Sequence, residues 1–184
     1  FGSGMLLARK DLLCFNEEEL SRIRESGEEN LGGIAALGKS LDLLGRIGMK
    51  LIEEEESRLT ARLLKGMAEV PGIRIYGIKD PLYEDFDKKI GVVAFNLKNV
   101  LSFKVAKELA RLSGVGIRAG CHCSHITVKH MLNVSPGLER FQRVMQSLFP
   151  GIKFPGVARV SLGLENTAQD VDEFVRTLKT ISSQ

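Results

Sequence analysis

Cys121, His122 and Cys123 stand directly behind Arg118-Ala119-Gly120, so two thiols, an imidazole and a guanidinium fall within six residues. A thiol attacks as its thiolate, and neighbouring cations favour that form. His125 and His130 follow at once, which puts all 3 His and 2 of the 3 Cys in ten residues. A cluster so dense reads as a site for thiolate chemistry, with Cys123 as the candidate nucleophile. A zinc knuckle is the first competing idea, but such sites separate paired cysteines by two to four residues. Here one residue intervenes, and no second cysteine pair exists elsewhere. The bland alternative makes Cys123 a buried small hydrophobe. Against it stand the local polarity, Gly120, and a place just past a strand end, where loops carry function. Cys14, between Leu13 and Phe15, reads as packing.

Arginine suits carboxylates because its guanidinium offers two parallel hydrogen bonds. Arg118 and Arg159 each fall on a predicted strand, where a charge must be paired or face a cleft. Singly, each reads as a structural ion pair. Beside a nucleophilic thiol, the two together suit an amino-acid substrate.

The elements that must position these residues follow from periodicity. Gly4 to Arg9 reads as a short strand, and Asn16 to Arg24 as a polar helical turn. Leu31, Ile34, Leu37, Leu41 and Leu44 form one apolar stripe of a long helix. Gly45 and Gly48 interrupt it, and a second helix runs from Met49 to about Glu69. Glu53 to Glu56 read as its solvated face. From Pro71 the period changes. Ile73 to Tyr76 alternates like a half-buried strand, and Gly91 to Leu97 is a β-rich apolar run. Ser102 is expected to cap a helix carrying Ala106, Leu109 and Ala110. Val115 to Arg118 reads as a strand delivering the Cys/His cluster, and Val157 to Leu162 as another. Thr167 to Asp170 resembles a capping box ahead of an amphipathic helix with Val171, Phe174, Val175, Leu178 and Ile181. Between the last two strands, Ser135 to Gly156 is long for a loop and is expected to hold a helix from Leu138 to Leu148. The sum is α+β: a small sheet with helices on one face, preceded by long helices. Residues 1–30, 31–70 and 71–184 are expected to be a connecting segment, a helical region and a small α+β domain.

Hydrophobic content of 43% and charged content of 27% are ordinary for a globular protein. A net charge of +3 with only 6% aromatics and no Trp offers no basic, aromatic-lined surface for nucleic acid. Three cysteines do not make a disulfide framework, and no apolar run is long enough to span a membrane. A reducing cytoplasm is the expected compartment. By composition, Phe1-Gly2-Ser3-Gly4 reads as a linker ahead of Met5.

The motif Arg118-Ala119-Gly120-Cys121-His122-Cys123 resembles the Arg-x-Gly-x-His-Cys motif of class V aminotransferases of the cysteine desulfurase and selenocysteine lyase type, which are fold type I pyridoxal-phosphate enzymes. Glu25 to Asn30, followed by Gly32-Gly33-Ile34-Ala35, is similar to the family's Glu-x-Gly-Thr-x-Asn segment entering a long helix. Pro71 to Gly77 and Gly91 to Leu97 resemble its small-domain strands. Ala158 to Leu162, with Asn166-Thr167 and Val171-Asp172, resembles the last strand and helix. Order and approximate spacing agree over essentially the whole chain, and Phe1 to Gly4 looks like the glycine-rich turn after the cofactor lysine, which favours native residues there.

The resemblance implies the C-terminal small domain of such an enzyme, preceded by interdomain helices and, over residues 1–30, by a remnant of the large cofactor domain with its connecting segment. It implies that Cys123 accepts sulfur from L-cysteine, leaving alanine and a persulfide. Arg159 would pair with the substrate carboxylate, Arg118 would assist the carboxylate or the thiolate, and His122 would flank them. Gly27 and Asn30 match the cofactor-binding segment. The implied cofactor is pyridoxal 5′-phosphate, and the implied partners are a second copy of the intact enzyme and a sulfur-acceptor protein. Glu28 stands where the family often has a phosphate-binding threonine, so that contact does not carry over. The Ser135–Gly156 segment looks longer than its counterpart, and Cys121 is a variation open to a second acceptor role or to none. The cofactor lysine would precede Phe1, so the chain alone is expected to be inactive. The alternatives are a class V aminotransferase acting on another amino acid, a metal-binding module, and an interaction domain that keeps the fold without the chemistry.

Overall fold

The computed structural model describes residues 2–9, 12–25, 27, 30–135, 137, 140 and 156–183. The chain divides into two compact units, Phe1–Ile52 and Glu53–Gln184.

The first unit holds α1 (Glu17–Glu25), α2 (Leu31–Ile47) and the start of α3 (Met49–Ala68). Asn16 caps α1: its Oδ1 accepts the Glu19 amide at 2.8 Å, while Glu19 Oε2 accepts the Asn16 amide at 2.9 Å. Asn30 caps α2 by accepting the Gly33 amide at 3.0 Å. Gly48, at φ +96°, separates α2 from α3, a backbone angle that L side chains resist. Gly45 stays inside α2, so only one of the two expected interruptions is real. The expected strand from Gly4 to Arg9 is absent: these residues carry no regular structure, and Met5, Leu6 and Leu7 are exposed. An apolar run needs a partner strand to become a ladder, and no strand among the described residues forms one with this run. Cys14 is exposed rather than packed, as are its neighbours Leu13 and Phe15.

The second unit is built on an antiparallel four-stranded sheet in the order β1-β2-β4-β3. The strands are β1 (Ile73–Tyr76), β2 (Val92–Leu97), β3 (Arg118–Gly120) and β4 (Val157–Ser161). Among the described residues, three further α-helices are α4 (Ser102–Ser113), α5 (His125–Leu132) and α6 (Ala168–Ser182). β2 alternates strictly, with Val93, Phe95 and Leu97 buried and Val92, Ala94 and Asn96 partly exposed. The buried face meets Leu59, Leu63, Leu64 and Met67 of α3, Val105 and Leu109 of α4, and Val171, Phe174 and Leu178 of α6. Phe95 and Phe174 meet edge to face at 6.0 Å between centroids. Helices on one face of a small sheet make the α+β arrangement expected from the sequence.

Three details differ. Ser102 is the first residue of α4, not its cap; Leu101 holds that position without a side-chain hydrogen bond. The third strand lies at Arg118–Gly120 rather than Val115–Arg118, because its ladder is set by β4 and not by local propensity. Val115 and Ile117 pack against the core without joining it. The capping box before α6 is present, with Thr167 and Asp170 bonded reciprocally. The helix expected over Leu138–Leu148 lies outside the described residues.

Candidate functional site

Antiparallel register decides which side chains meet. Arg118 of β3 stands directly opposite Arg159 of β4, and Arg159 stands opposite Ala94 of β2. Directly paired residues share a face. Ala94 points away from the core, so both arginines lie on the face that the core helices leave open. Like charges directly opposite one another destabilise a sheet. No carboxylate among the described residues pairs with either guanidinium, and Arg159 Nε is buried without a hydrogen-bond partner. Two cations unneutralised among the described residues, one with an orphaned donor, are what an anion-binding position requires.

β3 ends at Gly120, whose φ of +126° turns the chain out of the sheet. Cys121 to Ser124 then form a tight turn closed by the Ser124 amide donating to the Cys121 carbonyl at 2.8 Å. His122 and Cys123 occupy its central positions at φ +52° and +57°, the signature of a type I′ turn. Two consecutive left-handed residues other than glycine are uncommon and mark a conformation held by its surroundings. One such restraint is visible: His122 Nε2 lies 3.0 Å from the Val157 carbonyl. A carbonyl only accepts, so Nε2 carries the proton and the imidazole is tied to β4. Cys123 is exposed, and Cys121 is partly so. α5 begins immediately after the turn, with His125 and His130 both exposed.

Two residues that the sequence reading did not single out hold this corner. A Cβ on Gly156 would fall 2.6 Å from the Cα, C and O of Gly120, so the two backbones touch. Asn96 Nδ2 donates to the Gly156 carbonyl at 3.1 Å. The signal for Asn96 was a lone amide at the end of an apolar strand; Gly156 carried none.

The structure therefore brings together Arg118, Arg159, His122 and Cys123. Gly27 and Asn30 belong to the other unit, where both are exposed. Among the described residues, no three His, Cys, Asp or Glu side chains converge as metal ligands. No helix among them is long and apolar enough to cross a membrane.

A family model described as aminotransferase class-V matches residues 1–174. The chain belongs to the class V aminotransferase family. A probable cysteine desulfurase from Methanothermobacter thermautotrophicus is 27% identical over 158 residues, covering 86% of this chain and 33% of that protein. A cysteine desulfurase from Cronobacter sakazakii is 32% identical over 154 residues, covering 84% and 30%. The apo structure of a cysteine desulfurase from Thermococcus onnurineus superposes with a TM-score of 0.62 at 27% identity, covering 85% of this chain and 32% of that one. This class V aminotransferase chain thus spans about a third of the length of the relatives it matches.

Class V aminotransferases depend on pyridoxal phosphate, and the start of α2 tests whether this chain has donors for it. A Cβ on Gly33 would fall 2.6 Å from both Asn30 Nδ2 and Ser3 Oγ, so an amide and a hydroxyl lie close against the helix backbone there. The amides of Leu31 and Gly32 precede the first intrahelical bonds and are unused by the helix. This donor set fits the phosphate end of the cofactor.

Proposed function

We propose that the chain is the C-terminal portion of a pyridoxal-phosphate-dependent cysteine desulfurase in which Cys123 accepts the sulfur. The observation that carries this reading is the Arg118–Arg159 pair, cationic, unneutralised among the described residues, and joined through Gly120 to the thiol turn. In this reading Arg159 grips the substrate carboxylate, with its buried Nε supplying one of two parallel hydrogen bonds, and Arg118 adds the opposing charge. That grip orients the β-carbon and sulfur of L-cysteine toward Cys123. Pyridoxal phosphate, when bound, supplies the electron sink that labilises bonds around the substrate's α-carbon. Ser3, Asn30 and the first amides of α2 would hold its phosphate, while the lysine that anchors it lies upstream of Phe1. The Cys123 thiolate takes the substrate sulfur and becomes a persulfide, and alanine leaves. His122, tied to Val157, fixes the turn that presents the thiol.

The relatives' names and the fold they share support the enzyme class, and the residue pattern supports the nucleophile. The intact enzyme is proposed to act as a homodimer, to pass its sulfur to an acceptor protein, and to work in the cytoplasm. The test uses the parent-length protein with pyridoxal phosphate and L-cysteine, assaying sulfide and alanine together. Both products should appear in the wild type and vanish with Cys123→Ala. Turnover untouched by that substitution would discard Cys123 as the sulfur acceptor and favour an aminotransferase acting on a different amino acid. The 184-residue chain alone should yield neither product; detecting either would overturn the upstream lysine.

A further inference from the structure

Two thiols share one four-residue turn, and the desulfurase chemistry uses only one of them. We infer that Cys121 resolves the persulfide formed on Cys123, closing a Cys121–Cys123 disulfide and releasing the sulfur as hydrosulfide. The inference rests on the reading of Cys123 as sulfur acceptor.

Both cysteines are free thiols, Cys123 exposed and Cys121 partly exposed, so each can reach a reactant. Two virtual bonds of about 3.8 Å separate their Cα atoms, which caps that distance at about 7.6 Å in a straight chain. Here the chain reverses between them, as the 2.8 Å bond from the Ser124 amide to the Cys121 carbonyl requires. The reversal brings the pair within the range of about 4.4–6.8 Å that a disulfide spans. The intervening imidazole is fastened to the Val157 carbonyl at 3.0 Å and is therefore held to β4. Cys14, the remaining cysteine, belongs to the other unit.

The step balances within the protein. Cys121 gives its proton to solvent, and its thiolate attacks Sγ of Cys123. The bond between Cys123 and the sulfane sulfur breaks, the outgoing sulfur takes the electron pair, and a new sulfur–sulfur bond joins the two cysteines. The two cysteine sulfurs are oxidised from thiol to disulfide level, and the sulfane sulfur is reduced to sulfide. A ring this small is strained and easily reduced, so an external dithiol returns the pair to its starting state. The reaction differs from handing sulfur to an acceptor protein: it discharges sulfide with no acceptor present, then halts until a thiol reductant arrives.

The test needs no cofactor. The reduced chain, as wild type, Cys121→Ser and Cys121→Ala, is treated with inorganic polysulfide, which delivers sulfane sulfur to exposed thiolates. Released sulfide is assayed, and the peptide around Cys123 is followed by mass spectrometry. The wild type should gain one sulfur on Cys123, then lose it with stoichiometric sulfide as the internal disulfide appears. Both variants should hold the persulfide at least about tenfold longer. Equal lifetimes in all three proteins, a disulfide between chains in place of the internal one, or a Cys123 that takes up no sulfane sulfur would each overturn the inference. L-cysteine turnover by the parent-length protein reads the desulfurase assignment separately. No alanine there, alongside an intact polysulfide reaction, would sink that assignment and leave the dithiol step standing.

Discussion

Arg159 places a guanidinium on an inner strand, beside another guanidinium and with its Nε buried and unbonded. Leaving such a donor unsatisfied costs about 1–3 kcal/mol, which a bound carboxylate would recover. Arg159→Gln should therefore lower kcat/KM for L-cysteine in the parent-length enzyme by roughly 10–100-fold, and Arg159→Lys should recover little of it because the fork geometry is lost. Steady-state kinetics of the two variants check this; a Lys variant at wild-type efficiency would reduce the role to a point charge. His122 offers a second test, since its φ of +52° suits Asn far better than a β-branched residue. His122→Val should lower the melting temperature more than His122→Asn does, as thermal unfolding would read directly. Residue types around the thiol were legible in the sequence because the cluster is local. The opposition of Arg118 and Arg159, 41 positions apart by their residue numbers, was not, because register is fixed only when β3 and β4 pair.

Elements hold the thiol turn from below. Asn96 on β2 bonds Gly156, Gly156 touches Gly120, and Gly120 leads into the turn. Gly156→Ala would force a methyl against backbone, which cannot swing aside as a side chain can. A loss of about 1–3 kcal/mol is expected, read as a lower urea midpoint, together with a changed alkylation rate at Cys123. Normal values of both would mean that the corner yields more easily than its contacts suggest. At the far end of β4, Thr167 caps α6. Thr167→Ala should cost about 1 kcal/mol and lower the melting temperature by a few degrees. That capping box, the stripe of α6 and the alternation of β2 were all readable, since each is a pattern within one element. Gly4–Arg9 shows the limit of such patterns, since an apolar run becomes a strand only where another strand pairs with it. β3 was misplaced for the same non-local reason as the arginine register.

Across the second unit, α3 and the residue just past its end are joined to α6 by two ion pairs remote in sequence. Arg62 grips Asp172 with bonds of 2.6 and 2.7 Å, and Lys179 meets Glu69 at 2.7 Å. The hydrogen bond from Arg62 holds the Asp172 carboxyl below its ordinary pKa, and the one from Lys179 does the same for Glu69. Groups depressed on folding contribute stability that is complete above the ordinary carboxylate range, about pH 4, and lost as the pH falls through their lower folded values. Replacing Arg62 and Lys179 together with Gln should flatten the acid limb of the stability profile below about pH 5 and change little at high salt. Urea midpoints from pH 3 to 7 check the sign; an unchanged acid limb would show both pairs to be too exposed to matter.

The sheet divides labour by parity. Along β2 and β4, alternate positions either join the helix-covered core, as Phe95, Ala158 and Val160 do, or lie on the opposite face, as Ala94, Asn96 and Arg159 do. Neighbouring residues on one strand therefore answer to different selective pressures. A lineage could change what the enzyme recognises at every second residue while leaving its heat tolerance to the residues between.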